Sequence, residues 1–161
     1  MTHQDFITKW TGKTIDFDGA FGAQCVDLYR QYVQDVFKCP QSPPVSGAYR
    51  VWDTYLTDYF DRYNNTLTAV PQQGDVVIWN TKVGSGFGHI AIYDSGNVWG
   101  FTSFDQNWVT IAPHLQKHNY DNIYGWLRFK GGLDYKKMYE EQLARANNLQ
   151  SKIDKAREAL Q

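Results

Sequence analysis

Cys25, in the run Gly22-Ala23-Gln24-Cys25-Val26-Asp27, stands just ahead of an apolar-periodic stretch and so opens a helix. The free N–H groups and the positive dipole end at a helix start favour a thiolate, which is a nucleophile. A nucleophile of this kind needs a base, and His89 is placed to be one. It begins a strand directly after a glycine loop, in Gly86-Phe87-Gly88-His89-Ile90-Ala91-Ile92. A polar ring at the mouth of an apolar strand is costly unless it is paired or put to use. The next strand ends in Ser103-Phe104-Asp105-Gln106-Asn107-Trp108. Alternation along a strand puts Asp105 and Asn107 on one face. One of them can accept Nδ1–H of His89, leaving Nε2 to face sulfur, and the other can donate to a developing oxyanion. Helix-start thiol, strand imidazole and orienting group together make a cysteine-hydrolase constellation. His3, His114 and His118 carry no comparable signal.

The loop ahead of Cys25 holds a second arrangement. Asp16-x-Asp18-Gly19, followed by Asp27, spaces three carboxylates around a tight turn. Hard oxygen donors in such a loop suit Ca²⁺, with the carbonyls of Ala20 and Gly22 as further ligands. The competing reading is an Asx-turn with solvated carboxylates, Asp27 serving the helix dipole alone.

These residues need elements to hold them. Residues 3–11 read as a short helix with Phe6, Ile7 and Trp10 on one face, ended by Gly12. From Cys25, the positions Val26, Tyr29, Tyr32, Val33, Val36 and Phe37 recur at threes and fours, giving an amphipathic helix that ends at Cys39-Pro40. A weaker helical pattern covers 49–61. After Pro71 the period changes to two. Strands are expected at 74–79, 89–93, 98–106, around 108–111, and at 124–129. Helices followed by consecutive short strands indicate an α+β fold with an antiparallel sheet.

Composition narrows the function classes. The chain has 161 residues, 42% hydrophobic, enough for one domain with a real core. A net charge of −1 gives no support to a nucleic-acid-binding surface. The N-terminus lacks the basic and apolar segments of a signal peptide, and no run is long enough to span a membrane. The expectation is therefore cytoplasmic synthesis. Cys25 and Cys39 lie a helix length apart, and two free thiols are favoured over a disulfide. Six Trp and eleven Tyr fill core and strands or line a groove.

Composition shifts at Gly131-Gly132. From Asp134 to Gln161 there is no Gly or Pro, and Tyr139, Leu143, Ala146, Leu149, Ile153, Ala156 and Leu160 recur at threes and fours. This predicts a long amphipathic helix with a narrow, coiled-coil-like stripe. The division expected is a catalytic domain at 1–131 and, at 132–161, a linker helix that leads to a further domain or self-associates.

The segments Asp16 to Asp27, Gly88-His89-Ile90-Ala91 and Asp105-Gln106-Asn107-Trp108 together resemble the CHAP domain, the cysteine, histidine-dependent amidohydrolases/peptidases of phage lysins and bacterial wall hydrolases. The resemblance covers residues 1–130. It implies a papain-like fold, peptidoglycan as substrate, an amidase or endopeptidase activity at the cell wall, and a phage origin. Carried over, Cys25 is the nucleophile and His89 the base, and Asp105 and Asn107 complete the site. Gln24 and Trp108 serve the oxyanion and the substrate. The chain departs from the family at Asp105, where glutamate is usual. The shorter side chain moves the orienting role to Asn107, with Asp105 behind it. Calcium binding by an Asp-x-Asp loop ending at Asp27 also resembles some members. Two other classes compete: a non-hydrolytic phage structural or wall-binding module, and a papain-like acyltransferase or isopeptidase. A groove lined by Trp79, Trp108 or Tyr93 would favour a polymer substrate.

Overall fold

A computed structural model of the chain describes residues 1–131 together with 150, 152 and 153. Met1–Gly131 is one compact unit. The helix expected over 134–161, and any self-association through it, lie outside the described residues.

Two short helices, α1 (His3–Trp10) and α2 (Cys25–Tyr32), precede a one-turn α3 (Val51–Thr54). Six strands follow: β1 (Phe60–Asn64), β2 (Val76–Trp79), β3 (His89–Asn97), β4 (Gly100–Asp105), β5 (His114–His118) and β6 (Ile123–Phe129). They form one antiparallel sheet in the order β1-β6-β2-β3-β4-β5. The α+β class with an antiparallel sheet is therefore what the chain adopts. Among the described residues no helix is long and apolar enough to cross a membrane.

Period-2 alternation divides the core between the two sheet faces. Val76, Ile78, Ile90, Ile92, Phe104 and Leu127 join Phe6, Leu28, Tyr29 and Tyr32 of the helices in the larger cluster. Val77, Trp79, Ala91, Tyr93, Phe101 and Trp126 make a smaller cluster on the other face. Each fully buried large side chain contributes about 1.5–3 kcal/mol, so the helix layer is held mainly by this burial. Trp79 and Tyr93 are buried here; of the three aromatic residues considered for a groove, Trp108 is the one that lines the cleft at Cys25.

The segment expected as one helix from Cys25 to Cys39 is α-helical only to Tyr32. It widens into a π turn over Val33–Phe37, closed by Lys38 N–H to Val33 O at 2.8 Å. The wider turn delivers Phe37 onto Phe129, with ring centroids 4.4 Å apart, and edge-on to Tyr32. The helical pattern read over 49–61 is also shorter. A 3₁₀ turn at Ala48–Arg50 leads into α3, and residues from Phe60 onward form β1. β1 is an edge strand in which only Phe60 is buried, so it has no alternation to reveal it. No strand forms around 108–111; these residues make an exposed loop, and the strand there is β5, after Pro113. Both cysteines are free.

Candidate active site

Cys25 is the first residue of α2, where the backbone N–H groups have no partner within the helix. Asp27 fixes this start: its carboxylate accepts Gln24 N–H at 2.7 Å, and its own N–H donates to Gln24 O at 3.1 Å. Gln24 O also accepts Gln106 Nε2–H at 2.6 Å. Gln106 is fully buried, and its side chain grips Ile15 at both backbone groups, at 2.8 and 2.7 Å. One amide therefore ties the start of α2 and the segment ahead of the acidic loop to the end of β4. Sequence reasoning left Gln106 aside because its partners are some 80 to 90 residues away in the chain. Replacing Gln106 with leucine strands the N–H and the carbonyl of Ile15 in the interior and takes one of its two donors from Gln24 O. It is expected to lower unfolding free energy by roughly 3 kcal/mol, read as a drop in the denaturation midpoint.

His89 opens β3 behind Gly88, which has φ 71°. A Cβ on Gly88 would lie 2.8 Å from both Trp79 O and Tyr49 Cβ, so only glycine allows the chain to pass there and present the ring. His89 Nε2 lies 2.8 Å from Asp105 Oδ2. Two sequence expectations are corrected by this contact. The carboxylate takes Nε2, which leaves Nδ1 for sulfur, the reverse of the tautomer expected. And Asp105 itself orients the ring, its short side chain notwithstanding. Asn107 does not alternate with it as a strand residue: it turns into the left-handed region at φ 60° and lines the cleft instead.

Asp105 is inaccessible to solvent and accepts three donors. Besides His89 these are Ser103 Oγ at 2.5 Å and His118 Nε2 at 3.1 Å. Burial opposes its charge, but the hydrogen bonds from His118 and His89 overcome it and hold the carboxyl down at about 2. For His89, burial likewise works against the charged ring. The neighbouring Cys25 and Asp105 outweigh it and push the imidazole up to about 9. The balance favours the charged imidazolium, held between the Asp105 carboxylate and Cys25. Trp108 packs on the ring, with centroids 4.7 Å apart, and is partly exposed.

Cys25, His89, Gln24, Asn107 and Trp108 line one cleft with a volume of about 780 Å³, and Asp18, Ala20 and Asp27 also border it. Asp105 stands behind His89, outside the lining. Asp16, Asp18 and Asp27 bring their oxygens within 4.8 Å of one another. Among the sequence-expected ligands, Ala20 turns its N–H to Asp18 Oδ1 at 2.9 Å, and Gly22 lies in the same loop at φ 72°. Ser103 and His118 are site residues that the sequence did not reveal. The pattern His114-x-Gln116-x-His118, polar side chains at period two, was the available signal.

A family model described as "CHAP domain" matches residues 14–112. The chain is 28% identical over 142 residues to "Endolysin PlyTW" of Staphylococcus phage Twort, covering 78% of this chain and 29% of that protein. It is 32% identical over 116 residues to "Endolysin LysK" of Staphylococcus phage K, covering 71% and 23%. To the "D-alanyl-L-alanine endopeptidase" of Streptococcus phage B30 it is 30% identical over 133 residues, covering 76% and 29%. The chain thus spans less than a third of the length of these curated relatives. Among solved structures, wild-type endolysin LysIME-EF1 superposes with a TM-score of 0.67 at 28% identity, covering 83% of this chain and 66% of that one. Ly7917, at 12% identity and a TM-score of 0.61, covers 79% and 61% and shares the fold.

Proposed function

Because this chain belongs to the CHAP domain family, we propose that it hydrolyses an amide bond of bacterial peptidoglycan by cysteine nucleophilic catalysis. The observation that carries this reading is the shared cleft of Cys25 and His89, with Asp105 locked behind the imidazole at 2.8 Å. A thiol, an imidazole and a carboxylate in that order are what acyl transfer from an amide to water requires.

The Cys25 thiolate attacks the scissile carbonyl carbon, forming a C–S bond and a tetrahedral oxyanion. The backbone N–H of Cys25, with the Gln24 or Asn107 side chain, supplies donors to that oxygen. The oxyanion collapses, the C–N bond breaks, and His89 gives its Nδ1 proton to the departing amine. Water then enters; His89 takes one of its protons while the oxygen attacks the thioester carbonyl. Cys25 leaves as thiolate, and the acid product is released. Asp105 stays ionised throughout and holds the ring in the tautomer that makes both transfers at Nδ1. Trp108, exposed at the rim beside His89, offers an apolar face to the substrate.

Peptide-bond cleavage is the specificity we test first, given the name of the Streptococcus phage B30 relative; cleavage at the sugar–peptide amide is the other possibility. Purified Gram-positive peptidoglycan is digested and the products are read by mass spectrometry. New amino termini within peptides are expected. Intact stem peptides freed from glycan would make it an amidase, and no release from walls of several chemotypes would overturn the hydrolase reading.

The acidic loop fits Ca²⁺. Burial, together with the nearby Asp18 and Asp16 charges, pushes the Asp27 carboxyl up. Burial is the larger cause, and the part that comes from the neighbouring carboxylates is what a divalent cation would relieve. Asp16, Asp18 and Asp27 would hold the ion, which supplies charge compensation and fixes the loop ahead of Cys25. Calcium at a hundred times its Kd is expected to stabilise the fold by about 2.7 kcal/mol. A thermal melt with calcium and with chelator checks this, and Asp18→Asn removes the difference.

A further inference from the structure

We propose that His118 is a positioning residue for the reaction, holding Asp105 so that Asp105 can hold His89. The inference rests on the hydrolase reading for its kinetic part only.

An ionised carboxylate can only accept hydrogen bonds, so every polar contact to Asp105 must come from a donor. Oδ1 takes Ser103 Oγ–H at 2.5 Å; Oδ2 takes Nε2–H of both His89 and His118, at 2.8 and 3.1 Å. Ser103 and His89 alone would fix one donor to each oxygen. The third donor pins the carboxylate plane against rotation about Cβ–Cγ. It also stabilises a negative charge that no solvent reaches, since Asp105 is fully buried and His118 nearly so.

His118 is itself held rigidly. Its ring sits edge-on to Trp79 and Trp108, each at 5.0 Å between centroids, and against Phe101 at 5.4 Å. Its backbone is paired in β5 opposite Phe101 of β4. These contacts leave the imidazole little freedom, so Nε2 is aimed by the sheet and not by chance of rotamer. The ring lies outside the lining of the Cys25 cleft, so it acts through Asp105 and does not touch substrate.

The test uses the full chain with His118→Phe, which keeps an aromatic ring in the cluster but removes the donor, and His118→Gln, whose amide donates at similar reach. In H118F, kcat for wall hydrolysis is expected to fall roughly 10- to 100-fold, the rate equivalent of one hydrogen bond to a charged group. KM should hold, and H118Q should recover most of the loss. The second readout needs no substrate: the downfield Nε2–H proton of His89 by NMR, which is expected to shift in H118F and return toward its native position in H118Q. Should H118F not fold, His118→Asn decides in its place, because its shorter amide keeps polarity but does not reach Oδ2. A moved resonance in a protein that releases nothing from walls supports the positioning role and sinks the hydrolase reading. An unmoved resonance, or equal loss in H118F and H118Q, overturns the proposal and leaves the hydrolase reading standing.

Discussion

Replacing Cys25 with alanine is expected to abolish wall hydrolysis, by on the order of 10⁴- to 10⁶-fold, while leaving the fold in place. The size of the loss follows from the mechanism: without sulfur no thioester forms, and the remaining groups can only polarise a bound carbonyl. The fold survives because Cys25 is only partly buried and stands at the first position of α2. Alanine is a good helix former and leaves only a small void there, so stability should change by less than about 1 kcal/mol. The variant should melt like the parent and still bind walls. There is a second signature. Cys25 is the larger of the two neighbours that raise His89 against its burial. In Cys25→Ala that support is gone, and His89 should titrate below the value of about 9 to which Cys25 and Asp105 together push it, a difference measurable by NMR. An alanine variant that still releases wall fragments would remove Cys25 from the chemistry.

The second large effect is that of Asp105→Asn, expected to cost about 10³-fold in kcat/KM. The amide is nearly the same shape, yet it brings no charge, and it can turn its NH₂ toward a histidine that must donate. The pH dependence gives the sharper readout. In the proposed mechanism His89 must be protonated to pair with the thiolate and to give its proton to the leaving amine. Activity is therefore present below its pKa and is lost as pH rises through about 9. Removing the Asp105 charge leaves burial opposed by Cys25 alone, so the alkaline limb should move to lower pH. Stability responds at the other end of the scale. Asp105 is depressed to about 2, so its contribution is complete above the ordinary carboxylate range and is lost as pH falls through that range toward 2. The asparagine variant lacks this linkage and should unfold over a narrower acid range. An unchanged alkaline limb would detach Asp105 from His89.

Much of this site could be read from the sequence, because its members sit where one periodicity gives way to another. Cys25 lies where loop becomes helix, and His89 where glycine loop becomes strand. What could not be read were contacts set by register and by distant pairing. Gln106 gives no signal in the sequence, because Ile15 and Gln24 come to it only through the fold. His118 meets Asp105 because β5 pairs with β4 in one register and no other. Side-chain length alone places Asp105 behind Asn107, and the order reverses in the fold because Asn107 leaves the strand at a positive φ. Among the elements, β1 and β5 were missed for one reason. Both are edge strands with mostly polar residues, while Trp108, Val109 and Ile111, apolar as strand residues usually are, lie exposed in a loop.

Asp105 and Gln106 are adjacent, and their side chains leave the end of β4 in different directions. One steadies the imidazole; the other reaches the carbonyl that precedes the thiol. The alignment of nucleophile and base thus descends from a single peptide unit, independent of the loops that shape the cleft around it. Side chains such as Pro44, Ser46, Phe21 and Phe87, which also line the cleft, can diverge without disturbing that alignment. Substitutions at those side chains can therefore alter what the cleft accepts while the groups that do the chemistry stay in place.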